Sequence, residues 1–98
     1  MITFIDAQEL HRQFPSTFDA PTQTELDNLK PNDFIKVCAE GGILAERFWI
    51  KIIEVNNHNI IGMVDNKLLF YPELPIGLKI SVVKSNVYDI LVGTPKSS

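Results

Sequence analysis

From Phe34 to Val92, short apolar stretches follow one another with only turn residues between them. The connectors are Glu40-Gly41-Gly42, Asn56-Asn57-His58-Asn59, Asp65-Asn66-Lys67, the segment from Pro72 to Gly77, and Lys84-Ser85-Asn86. A parallel pair of strands needs a crossover of a dozen or more residues, and none of these connectors is that long. The chain is therefore restricted to an antiparallel meander, which hides one apolar face by curling into a small sheet or barrel.

Strands are expected at residues 34–39, 47–55, 60–65, 68–71, 78–83 and 87–92. Glycines at 41 and 42 suit a loop with positive φ, and the asparagines at 56, 57 and 59 suit a tight hairpin through the left-handed conformation. Gly62 interrupts a strand pattern, the mark of a bulge or a close backbone approach. Along 47–55 the side chains alternate in character. Phe48, Ile50 and Ile52 form an apolar face fit for the barrel interior, and Arg47, Trp49 and Lys51 form a mixed outer face.

The first thirty residues have helical spacing instead. Asp6 is an N-cap with Glu9 three positions on, and Ile5 and Leu10 have the spacing of a hydrophobic staple. Leu10 and Phe14 share a face until Pro15 stops the helix. Residues 15–23 form an irregular connection anchored by Phe18. A second capping box, Thr22 with Glu25, opens a short helix through Leu26 and Leu29.

These readings give one domain over residues 1–98: a helical arm at 1–31, a barrel of five to six strands at 32–92, and a frayed tail at 93–98. Mainly β with a short N-terminal helical segment (α+β) is the expected fold class. With 98 residues and 45% hydrophobic content the chain can form one core. No apolar run is long enough to span a membrane. The first residues lack the basic start and long apolar stretch of a signal peptide. A lone cysteine, Cys38, forms no internal disulfide, so a cytoplasmic location is expected. Residues 1–35 carry two basic against six acidic groups, and residues 36–98 carry seven against six. Neither part is the strongly basic surface that binding to a phosphate backbone demands, so nucleic acid is disfavoured as a partner.

The stretch Leu29-Lys30-Pro31-Asn32-Asp33-Phe34-Ile35-Lys36-Val37 resembles the lead-in to an SH3-like barrel strand. Together with Glu46-Arg47-Phe48-Trp49-Ile50-Lys51 and Ile61-Gly62-Met63-Val64-Asp65-Asn66, it is similar to a bacterial family of unknown function. That family pairs an E-R-(F)-W-V strand with a G-x-(L/V)-D-N strand. Thr17-Phe18 with Pro21 upstream, and Val87-Tyr88-Asp89-Ile90 at the end, fit the same pattern, so the likeness covers roughly residues 16–92. Asn32 stands where the family more often has glycine, and asparagine can hold the same positive-φ turn. The resemblance implies an SH3-like antiparallel barrel and no catalytic residues.

Read for chemistry, the residues are sparse. Cys38 lies within Val37-Cys38-Ala39 and reads as a buried, inert thiol. His11 and His58 are placed on a helix surface and a hairpin tip, and neither suggests a base for Cys38. Two histidines and one cysteine far apart in sequence show no metal-ligand spacing, and Gly41-Gly42 is no phosphate loop. No catalytic residue, metal ligand or cofactor is assigned. Candidates for binding a ligand or partner are Arg47, Trp49 and Lys51, because tryptophan and arginine are enriched in binding hot spots, with Asp65, Asn66 and Tyr71. The favoured expectation for Trp49 is nevertheless that Leu10, Phe14 and Phe18 of the arm bury against it and Ile53, because a small domain rarely leaves a large apolar group uncovered. Asp65 and Asn66 are expected first to bond local backbone in a turn, and Tyr71 and Tyr88 either to line a groove or to pack with wet hydroxyls.

The leading expectation is a non-catalytic protein-interaction or regulatory module. A single-stranded nucleic-acid binder is the alternative, from aromatics and cations on a curled sheet. An enzyme using carboxylates such as Glu46 and Asp65 is the third reading.

Overall fold

Alternation along the central strand decides what is inside. In the computed structural model, which describes residues 1–93, Phe48, Ile50 and Ile52 are at most 1% exposed while Arg47 and Ile53 lie outside. Three strands supply a matching inner face: Ile35, Val37 and Ala39; Ile60 and Val64; and Val82. Each fully buried aliphatic or aromatic side chain of this kind contributes about 1.5–3 kcal/mol.

The strands are β1 (Thr3–Phe4), β2 (Phe34–Glu40), β3 (Glu46–Val55), β4 (Asn59–Val64), β5 (Lys79–Val83) and β6 (Asp89–Leu91). All pairings are antiparallel. The sheet runs β1-β2-β3-β4-β5, and β6 returns to pair with residues 34–36 of β2, on the edge where β1 pairs with residues 39 and 40. The result is a nearly closed, mainly β barrel with a helical segment before it, the class expected.

Closure depends on Asn86, in the 3-10 turn Lys84–Asn86 between β5 and β6. Its side-chain oxygen accepts from the Val83 amide at 3.0 Å, and its side-chain amide donates to the carbonyls of Phe4 (3.4 Å) and Ile5 (3.2 Å). One nearly buried side chain thus ties β5 to the β1 end of the barrel.

Local chemistry accounts for the helices. In α1 (Ala7–Gln13) Asp6 accepts from the Glu9 amide at 2.9 Å, though the Glu9 carboxylate turns to Arg12 rather than back to the cap. In α2 (Gln23–Asp27) the Thr22–Glu25 capping box is complete. Asn32 has φ 77°, the turn anticipated for it. Gly62 is a close-approach glycine: a Cβ there would meet Ile50 Cγ2 at 2.4 Å and the Lys51 carbonyl oxygen at 2.6 Å. Opposite it, β3 bulges between Ile52 and Glu54.

Several expectations need correction. Residues 68–71 form no strand. Their amides at Leu69 and Phe70 bond the Glu46 carboxylate (2.8–3.0 Å) instead of a ladder partner. The 56–59 hairpin uses no positive φ; Asn56 closes it by accepting from the amides of His58 and Asn59 at 3.2 and 2.7 Å. Strand β1 was not anticipated, since two residues carry no readable period. Of the tail expected at 93–98, residues 94–98 lie outside the described residues, and Gly93 is held by Asp33 Oδ1 at 2.9 Å.

Candidate functional site

On the outer face, register places side chains in rows. Lys36 lies opposite Trp49 and next to Asp89, Cys38 opposite Arg47, and Phe34 opposite Lys51, which faces Met63 in turn. The Lys36 ammonium sits 5.0 Å from the Trp49 ring centre. The Arg47 guanidinium sits 4.9 Å from the Tyr88 ring centre, and Phe18 meets the same ring edge-on at 5.2 Å and 80°. Two cation–π pairs therefore form on the outer face, one between β2 and β3 and one between β3 and the residue that precedes β6, each worth about 0.5–2 kcal/mol depending on exposure.

The arm lands beside Trp49 rather than on it. Trp49 is half-buried, Ile53 is exposed, and Phe14, meant as part of the cover, is 53% exposed. Because β1 pairs with the far end of β2 and the Ile5 amide donates to the Cys38 carbonyl (3.0 Å), the arm begins over Cys38. His11 Nδ1 and the Phe18 carbonyl (2.6 Å) then hold the return of the segment. As Nδ1 must donate to a carbonyl, the bond selects the form protonated there.

Between this returning segment and the sheet lies a cleft of about 370 Å³. Lys36, Arg47 and Tyr88 line it together with Phe18, Asp19 and Asp89. Among the described residues the ion pairs are Arg12–Glu9 and Lys84–Asp27, so Lys36, Arg47 and Lys51 have no carboxylate at ion-pair distance. A guanidinium stacked on a ring keeps its N–H edge for a carboxylate or a carbonyl.

Beneath the cleft, Cys38 is 4% exposed. Burial is the main cause that pushes its thiol above the ordinary range, against the opposing pull of Tyr88 and Arg47. Burial likewise, with Cys38 adding to it, pushes Tyr88 up to about 12. Both groups are thus neutral near pH 7, which suits an inert thiol rather than a nucleophile.

The other candidates separate. Asn66 Oδ1 accepts from the Trp49 amide at 2.6 Å, a contact across strands rather than within its own turn. Exposed Asp65 flanks Trp49, whose carbonyl accepts from the Asp65 amide at 2.9 Å. Tyr71 lines no surface groove: it is 2% exposed, its hydroxyl donating to the Leu44 carbonyl (2.8 Å) and accepting from the Gly42 amide (3.3 Å). Glu46 shares the inward parity of Phe48, whereas Asp65, facing Trp49 across the register, shares the outward one. The two carboxylates thus belong to opposite faces. No group of metal-ligating side chains occurs among the described residues, and no helix there is long and apolar enough to cross a membrane.

Lys36 and Asp89 were not singled out from the sequence. A hairpin centred on Gly42 and Ile43 would have placed Lys36 opposite Trp49, so that signal was present. Asp89 enters only through the non-local return of β6.

Fold and site together define a small antiparallel barrel with a cation–aromatic outer face and an adjoining cleft. No protein-family model matches the chain, and neither a curated protein nor a solved structure matches it significantly.

Proposed function

We propose that this protein is a non-catalytic protein-interaction module that reads a partner segment with the outer face around Arg47, Trp49 and Lys51 and the cleft over Lys36 and Tyr88. The observation that carries the reading is the adjacent pair of ring-stacked cations, neither with a carboxylate at ion-pair distance among the described residues. Tryptophan, tyrosine and arginine concentrate binding energy because they bury much area while keeping a polar edge. A fitting partner segment carries a carboxylate for Arg47 and an apolar side chain to lie against Phe18 and Tyr88. A reducing cytoplasm suits the lone buried cysteine.

Selection from a displayed peptide library, followed by affinity measurement on the selected peptides, tests this reading. Trp49→Ala and Arg47→Glu should each weaken binding at least about tenfold, the effect of losing one hot-spot contact. Undiminished binding of every selected peptide to both variants overturns the proposed surface.

Single-stranded nucleic acid is the second reading, favoured by aromatics beside cations on a curled sheet. Asp19, Glu25 and Asp89 around the cleft and a net charge of −3 weigh against it. Fluorescence anisotropy with mixed oligonucleotides at low salt, where backbone attraction is strongest, decides it: absence of binding there ends this reading.

A further inference from the structure

Opposite charges line the cleft without meeting. Lys36 and Asp89 are register partners on β2 and β6, a placement in which unlike charges attract. Arg47 lines the same cleft as Asp19 and Glu25. Yet none of these five groups is at ion-pair distance from another. Each is held by something else. The Lys36 ammonium lies over the Trp49 ring and the Arg47 guanidinium over the Tyr88 ring. One oxygen of Asp89 accepts from the Ile90 amide at 2.8 Å, one of Asp19 from the Ala20 amide at 3.1 Å, and one of Glu25 from the Thr22 amide at 2.9 Å. Among the described residues, each carboxylate thus keeps a second oxygen, and both cations keep N–H donors, for a group from outside.

We infer that the cleft takes a partner segment carrying charges of both signs, an aspartate or glutamate within two or three residues of a lysine or arginine. The inference deepens the proposed function and rests on it. The acidic side chain of the segment goes to Arg47 and Lys36, and the basic one to Asp19 and Asp89. Charge selects this class over simpler ones. Two cations against three carboxylates leave the lining at −1, so a purely acidic segment or a phosphate group meets net repulsion. A purely basic segment leaves Lys36 and Arg47 facing like charge, and like charges set against each other oppose binding. A dipolar segment satisfies both sets. The volume of about 370 Å³ corresponds to a width of about 9 Å, which two or three residues of extended chain cross at about 3.3 Å each.

Peptides selected from the displayed library on the full chain are the probes. Those whose binding is weakened by Arg47→Glu should carry the acid–base pair. Replacing their basic residue with alanine should weaken binding about three- to fivefold, the scale of one exposed ion pair. The doubly reversed chain, Asp19→Lys with Asp89→Lys, should bind the same peptides at least about tenfold more weakly, because like charges now face each other. Changing the basic residue of the peptide to glutamate should then bring affinity back to within about threefold, a coupling that damage to the fold cannot produce. Arg47-dependent peptides that tolerate alanine at their basic residue overturn the inference and leave the proposed function standing. So does a doubly reversed chain that binds undiminished, or one that the glutamate peptide does not rescue. A selection that yields no binder, or only binders indifferent to Arg47→Glu and Trp49→Ala, overturns both.

Discussion

Asn86 and Phe4, eighty-two residues apart, share a hydrogen bond of 3.4 Å that draws the first strand to the turn before the last. The same carboxamide holds Ile5 and Val83, so its two ends serve opposite sides of the barrel seam. Among the described residues no other side chain bonds those three groups.

Asn86→Ala should therefore destabilise the fold by about 2–3 kcal/mol, since it strands a partly buried amide and two carbonyls. For a domain of this size that lowers the melting temperature by roughly 10 °C or more. Thermal unfolding followed by circular dichroism measures it, and a loss near zero would show that the seam closes without Asn86.

Tyr71→Phe keeps the ring and removes only the hydroxyl that holds Gly42 and Leu44. The expected cost is about 1–2 kcal/mol. Faster amide exchange should be confined to the 41–45 tip, which separates a local release from general loosening.

Two glycines give a contrast. Gly62→Ala drives a methyl into Ile50 and the Lys51 carbonyl, an overpacking cost of about 2–3 kcal/mol. At Gly77 a Cβ meets nothing within 4 Å, and only its φ of +89° resists, so Gly77→Ala should cost about 1–2 kcal/mol from left-handed strain alone. Denaturant melts of the two variants should rank in that order.

Alkaline pH should weaken the fold through Tyr88. Its folded value is about 12 against an ordinary 10.0, so between these values the native state holds a proton that the unfolded chain has lost. The stabilisation is complete below pH 10 and disappears as pH rises towards 12. Tyrosinate absorbance should show one residue titrating near 12, and Tyr88→Phe should flatten the fall in stability over that window. The Cys38 thiol, raised in the same direction by its burial, should react slowly with a disulfide reagent in the folded protein and quickly in denaturant.

The sequence reading succeeds where a local rule suffices. Period-two alternation assigns Phe48, Ile50 and Ile52 inward and Arg47 outward. Cap chemistry finds both helix starts, and conformational preference finds Asn32 and Gly62. It fails where the deciding partner is distant. An apolar run at 68–71 looks like a strand, yet a carboxylate twenty-three residues away takes its amides. Nor does spacing along the arm reveal that Phe18 chooses Tyr88 over Trp49, because that choice follows from β1 pairing at the far end of β2. The mixed outer strand was legible as a candidate surface, whereas the cleft beside it arises only when β6 brings Tyr88 and Asp89 back to Lys36.

Along the first part of β3, side chains do what a neighbouring strand would otherwise do. Asn66 occupies the Trp49 amide, and Glu46 occupies the amides of the Leu-Leu-Phe-Tyr run. A short, uncharged, apolar run of this kind is a ready seed for fibrils when its backbone is open to a second chain. With the Leu69 and Phe70 donors taken by a carboxylate, the middle of the run offers no consecutive row of free amides for a stranger to zip onto.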